Sequence, residues 1–153
     1  MASPFPLPPP MRRALDLARD AAAAGEVPIG AVVTLGGRIV GEGQNRNRRD
    51  NDPTAHAEIV AIRAAAVAAG NFRLAGHILW VTLEPCAMCA GAITHARLDA
   101  VYYGASDPKS GGVEHGARVF THPQCHHRPE IFPGVGEGEA GALLRAFFAD
   151  RRA

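Results

Sequence analysis

The stretch Thr82-Leu83-Glu84-Pro85-Cys86-Ala87-Met88-Cys89 restricts this chain more than any other. Two cysteines stand three positions apart, directly after a proline. The apolar run His77 to Leu83 before them reads as a strand, and the alanine-rich run Ala87 to Leu98 after them reads as a helix. Proline suits the first position of a helix because it has no N–H to leave unsatisfied. The expected corner therefore puts Cys86 and Cys89 in the first helical turn, on one face. Positive partial charge and free N–H groups at a helix N-terminus favour thiolate over thiol. Two thiolates at a strand-to-helix corner suit a soft metal such as zinc. On the Cys-x-x-Cys spacing alone, a thioredoxin-like redox pair and a pair of small buried hydrophobes stay open.

A chain of 153 residues has room for one domain with a real core and not for two. Its 47% hydrophobic and 20% charged residues are those of an ordinary globular protein. No run approaches the roughly 20 apolar residues of a membrane span. Met1 to Pro10 holds five prolines and no basic segment, so it reads as a disordered lead rather than a signal peptide. Residues 11–153 are then the single domain. Three cysteines cannot close a disulfide framework, and cytoplasm is the default expectation. A net charge of +1 speaks against a broad non-specific nucleic-acid binder but allows a local basic patch.

Along the chain, Met11 to Ala24 keeps helical spacing through Met11, Leu15, Ala18 and Ala22, and Gly25 ends it. Pro28 to Leu35 and Arg38 to Gly43 read as a hairpin around Gly36-Gly37. Gln44 to Asn51 is polar and carries Arg46, Arg48 and Arg49. The next helix is expected to open at Asp52-Pro53, a preferred cap followed by a preferred first residue. From Ile59 to Ala69 its only charge is Arg63, so it is a buried central helix. Asp99 to Tyr103 reads as another strand, Gly104 to Gly116 as a glycine-rich loop, and Glu130 to Val135 as a last strand. Glu139 to Ala153 reads as the final helix. The strands lack polar alternation, which suits a sheet covered on both faces. The whole is an α/β layered domain, with helix N-termini gathered near strand ends.

A histidine and a carboxylate, His56 and Glu58, stand at the mouth of the buried helix. Together with Cys86 and Cys89, His56 completes a set of three metal ligands, the number that leaves a fourth position open for chemistry. Cys125, His95, His126 and His127 have no paired spacing that would close it. Such a metal makes water acidic enough to react at neutral pH, and Glu58 is then the proton carrier. Residues two apart on an ideal helix do not face each other. The pair His56 and Glu58 therefore has to work at a helix end.

His-x-Glu with Pro-Cys-x-x-Cys is the known signature of the zinc nucleobase deaminases, of which tRNA adenosine deaminases are a known example. From about Met11 to Arg152 the chain resembles the bacterial tRNA-specific adenosine deaminases (TadA family). The resemblance is carried by Gly25-Glu26-Val27-Pro28-Ile29-Gly30-Ala31-Val32, Asp52-Pro53-Thr54-Ala55-His56-Ala57-Glu58-Ile59 and Thr82 to Ile93. Tyr103-Gly104-Ala105-x-Asp107-x-Lys109 and Phe147-Phe148-x-x-Arg151-Arg152 add to it. It implies a cytidine-deaminase-like three-layer α/β/α sandwich, with a mixed central sheet and helices on both faces. It also implies a homodimer that converts adenosine to inosine at the wobble position of a tRNA anticodon stem-loop. Zinc would be held by His56, Cys86 and Cys89, with Glu58 as the catalytic acid and base. Asn45 and Val27 match substrate-pocket positions, and Asp107, Lys109, Phe148 and Arg151 match positions near the RNA. Arg46, Arg48 and Arg49 are candidates for phosphate contacts. The family pattern has Asn-His-Arg where this chain has His126-His127-Arg128. The alternatives are a zinc deaminase of a free base or nucleoside, of guanine or cytosine type, and a zinc-stabilised RNA-binding module without catalysis.

Overall fold

Two hydrophobic layers, one on each side of a single sheet, follow from the strands' alternation. The computed structural model describes residues 6–152. The strands are β1 (Gly30–Leu35), β2 (Arg38–Gln44), β3 (His77–Leu83), β4 (Ala100–Ala105) and β5 (Glu130–Phe132). The helices are α1 (Pro9–Ala23), α2 (Ala57–Ala69), α3 (Ala87–Ala96) and α4 (Glu137–Arg152). The sheet order is β2-β1-β3-β4-β5. β1 is antiparallel to both β2 and β3, whereas β3, β4 and β5 run parallel, so the sheet is mixed.

On one face Ala31, Val33, Leu79, Val81, Val101 and Tyr103 pack against the alanines of α2 and α3. On the other, Val32, Trp80 and Ala105 meet Met11, Ala14 and Leu15 of α1 and Ala140 of α4. The neighbouring strand residues Val32 and Val33 thus serve opposite layers, as the two-residue period of a strand requires. Trp80, Tyr102 and Phe132 stack across β3, β4 and β5 with centroids 4.0 and 4.4 Å apart. The expected three-layer α/β/α sandwich is what the chain forms.

Several boundaries differ from the sequence reading. α1 begins at Pro9, with Pro9 and Pro10 in its first turn, where a missing N–H costs nothing. Leu7 packs on the α1–α4 core, so the disordered lead expected over residues 1–10 does not extend to Leu7. Residues 1–5 lie outside the described residues. Asp52-Pro53 does not open α2. The Asp52 carboxylate accepts the Thr54 N–H at 2.8 Å and the Thr54 hydroxyl at 2.7 Å, which makes a local turn. α2 starts five residues later, after His56. Pro85 likewise precedes α3, whose N-cap is Cys86. Among the described residues no helix is long and apolar enough to cross a membrane.

Candidate active site

The start of α2 and the start of α3 meet beside the ends of β1 and β3, and each helix places a candidate ligand at its cap. His56 is the N-cap of α2 and is extended, with φ −72° and ψ 154°. Its side chain therefore leaves the chain before the helix begins, while Glu58 is already helical. This resolves the difficulty of the two-residue spacing: only one of the pair belongs to the helix. Cys86 is the extended N-cap of α3, with φ −73° and ψ 175°, and Cys89 is in the first turn. The Nδ1 of His56 lies 3.5 Å from Cys86 Sγ and 3.4 Å from Cys89 Sγ.

Electrostatics sort these groups. Donation from the Cys89 thiol, assisted by His56 and opposed by burial, brings the Cys86 thiol down to about 4. Cys89, the donor in that bond and itself buried, is pushed up. The hydrogen bond to Cys86 raises His56 against its burial. Burial pushes the Glu58 carboxyl up to about 7. One nitrogen and two sulfurs within 4.8 Å of one another are a donor set that fits a soft divalent cation. Among the described residues no other group of His, Cys, Asp and Glu converges in this way. The thiol of Cys125 donates to the His127 carbonyl at 3.1 Å, and the His127 ring donates to the Leu98 carbonyl at 2.6 Å.

A cavity of about 530 Å³ opens over this cluster. His56, Glu58 and Cys86 line it, with Val27, Asn45, Asp107, Lys109 and Phe148, so five of the six substrate positions expected from the sequence come together. The sixth, Arg151, does not line it; its guanidinium stacks on the Phe147 ring at 3.5 Å. Asn45 is buried, and its Oδ1 accepts the Ala57 N–H at 2.8 Å. That bond fixes which end of the amide is oxygen and leaves the NH2 as a donor beside the pocket.

The arginine cluster is less free than its sequence suggests. Arg46 pairs with Asp50 at 2.9 Å. Arg49 donates to Gln44 Oε1 and to the Asn45 carbonyl, both at 2.9 Å. Arg49 also pairs with Glu26, a buried acid that the sequence reading passed over. Glu26 accepts the Arg48 N–H at 3.2 Å and the Arg49 N–H at 2.8 Å. Glu84, Ile29, Leu83, Ser106, Ser110 and Leu144 also line the pocket without having been singled out. Glu26 and Glu84 did carry a signal: each is an acid in an otherwise apolar approach to a site motif. His126 lines a second cavity of about 500 Å³ with His95, His122 and Cys125, rather than the pocket of Glu58.

A mixed sheet between two helical layers, with a His-Cys-Cys cluster and a buried glutamate at apposed helix starts, defines the cytidine-deaminase-like class. The comparisons agree. The family model described as MafB19-like deaminase matches residues 9–152. A tRNA-specific adenosine deaminase from Agrobacterium fabrum is 53% identical over 142 residues, covering 93% of each chain. A structure solved in studies of A-to-I editing by tRNA:A34 deaminases superposes with a TM-score of 0.87 at 52% identity, covering 88% of this chain and 98% of that one. A guanine deaminase from Bacillus subtilis superposes less well, with a TM-score of 0.64 at 35% identity, covering 94% and 92%. The chain belongs to the family of the tRNA-specific adenosine deaminases.

Proposed function

We propose that this chain hydrolyses adenosine to inosine and ammonia at the wobble position of a tRNA anticodon, using one zinc ion held by His56, Cys86 and Cys89. The observation that carries the reading is the convergence of those three side chains and Glu58 in one pocket, in a chain 53% identical to a tRNA-specific adenosine deaminase. When bound, zinc supplies Lewis acidity that makes water reactive at neutral pH. Glu58 lines the same pocket; there it would take a proton from the attacking water and return it to the departing amine. The Asn45 NH2 holds the nucleoside, and Val27, Ile29 and Leu83 pack on the base. Exposed Lys109, Ser110 and Phe148, with Asp107, sit at the rim where the anticodon loop enters. The target base must leave its stack to reach a glutamate that is 4% exposed.

The homodimer rests on the family resemblance, and exposed Val67 and Phe72 are apolar surface that a second copy would cover. Cys86, Cys89 and Cys125 are not joined in disulfides, which suits a cytoplasmic setting. The test offers zinc-loaded protein an anticodon stem-loop with adenosine at the wobble position, beside free adenosine, cytidine, cytosine and guanine. Inosine forms in the RNA only. Glu58→Gln keeps fold and zinc and loses about 10³-fold or more of turnover. Turnover of a free base with the RNA untouched would overturn the proposal.

A further inference from the structure

The proposed chemistry leaves two buried acids, Glu26 and Glu84, unused, and the bonds of Glu84 lead to the rim of the pocket. Glu84 follows β3, two residues before Cys86, and is 2% exposed. Its Oε1 accepts the Asp107 N–H at 3.0 Å and a hydrogen bond from His115 Nδ1 at 2.8 Å. Its Oε2 accepts three consecutive N–H groups, from Val113 at 3.2 Å, Glu114 at 3.0 Å and His115 at 3.1 Å. A carboxylate removed from water persists only where donors replace the water, and here five do. The loop is fitted around it. A Cβ on Gly111 would stand 2.4 Å from Oε2, and the Gly112 N–H donates to the Pro85 carbonyl at 2.8 Å. The bonds continue outward: Asp107 Oδ1 accepts the N–H groups of Lys109 at 3.2 Å and Ser110 at 3.0 Å. Asp107, Lys109 and Ser110 all line the catalytic pocket. A continuous set of hydrogen bonds thus joins the turn that carries Cys86 to the rim of the site.

We propose that Glu84 is a positioning residue for RNA recognition: it sets the pose of the Asp107–Ser110 rim against the anticodon loop. The proposal rests on the tRNA reading above. A chain needing these residues only to close a loop would be served by apolar packing; a carboxylate with five donors fixes one conformation.

Glu84→Gln keeps the size of the side chain but turns an NH2 donor toward N–H groups that need an acceptor. On the anticodon stem-loop, KM rises about tenfold, as for the loss of a hydrogen bond to a charged group. Under the same conditions kcat changes by less than about twofold, and zinc content is unchanged. In an Asp107→Ala/Lys109→Ala background the same change moves KM by less than about twofold, because the contacts it positions are already gone. Gly111→Ala, whose Cβ would press on the same carboxylate at 2.4 Å and on the Asp107 carbonyl at 2.5 Å, disturbs the same linkage and raises KM in the same direction, which keeps the proposal testable should Glu84→Gln fail to fold. Loss of zinc, a fall in kcat at constant KM, or an equal rise in KM in the rim-deleted background overturns the proposal. A wild-type protein inert on the stem-loop instead overturns the tRNA reading beneath it.

Discussion

α2 lies on β2 with only hydrogen between them at Gly41 and Gly43, and that contact positions the end of α2 that carries Glu58. A Cβ on Gly43 would stand 2.3 Å from the Ala57 carbonyl oxygen, 2.6 Å from the Ala61 nitrogen and 2.9 Å from Val60 Cβ. The nearest two are main-chain atoms in the opening turns of α2, beside Glu58 and just after His56. They cannot rotate away, so Gly43→Ala must lift the start of the helix by about 1 Å to restore ordinary contact. Overpacking costs about 1–3 kcal/mol, and rigid neighbours put this case near ~3 kcal/mol. A displacement of about 1 Å at a catalytic group costs about 10²-fold in rate. Glu58 and His56 would move relative to Cys86 and Cys89, which ride on a different helix. The assay pairs urea denaturation with kcat on the stem-loop at saturating zinc. Gly36→Ala is the control: Gly36 has φ +57° and nothing within 4 Å of an added Cβ. It loses about 1–2 kcal/mol to left-handed strain, with kcat unchanged. Wild-type kcat in Gly43→Ala, or an equal loss of kcat in Gly36→Ala, would refute the reasoning.

Glu26 gives a pH signature. Burial opposes its ionisation, but the N–H groups of Arg49 and Arg48 and the Arg49 guanidinium outweigh burial and hold the carboxyl below its ordinary value. A folded value below the unfolded one stabilises the protein above the unfolded pKa, about 4.3, and the gain is lost as pH falls through the folded value. The urea midpoint of wild type therefore exceeds that of Glu26→Gln at pH 7, and the gap closes below about pH 4; a gap constant down to pH 3 would contradict this. Chelation is the third prediction. A ligand present at 1,000 times its dissociation constant contributes about 4 kcal/mol, so stripping zinc lowers Tm by roughly 10 °C and abolishes turnover, and added zinc restores both. Unchanged Tm and activity after dialysis against chelator would remove zinc from the site.

β3 is legible to the residue because His77 to Leu83 is apolar on both faces, and only a sheet covered on both sides needs that. The Asp52-Pro53 pair is ambiguous because a turn and a helix cap use the same acceptor. Local bonds from Thr54 to Asp52 settle it as a turn, and Asn47 Nδ2 reinforces it by donating to the Asp52 carbonyl at 2.9 Å. Glu26 and Glu84 stand out as acids in apolar stretches, but their partners are hidden for a different reason. Their donors come from residues at least 22 positions away, so the burial of either acid becomes intelligible only after folding. Glycine inside a strand ordinarily weakens it, and Gly41 and Gly43 both stand inside β2. In the fold they are the flat seat of a helix.

The two caps also explain why Asn45 belongs to the site twice over. A helix ordinarily begins on Ser, Thr, Asp or Asn, whose side chain satisfies a free N–H and contributes about 1 kcal/mol. Here His56 and Cys86 occupy the N-caps of α2 and α3, and neither side chain caps its helix. Using those positions for the proposed metal ligands forgoes that stabilisation. It also leaves the positive ends of α2 and α3 beside the Glu58 carboxyl and the Cys86 sulfur. For α2 part of the loss is offset from outside: Asn45 Oδ1 accepts the Ala57 N–H, the first of the helix. The amide that satisfies the helix with its oxygen faces the pocket with its NH2. The proposed substrate contact, the helix start and the placement of His56 and Glu58 therefore share one side chain. That makes the position of Asn45 as closely determined by the fold as by the nucleoside it is proposed to hold.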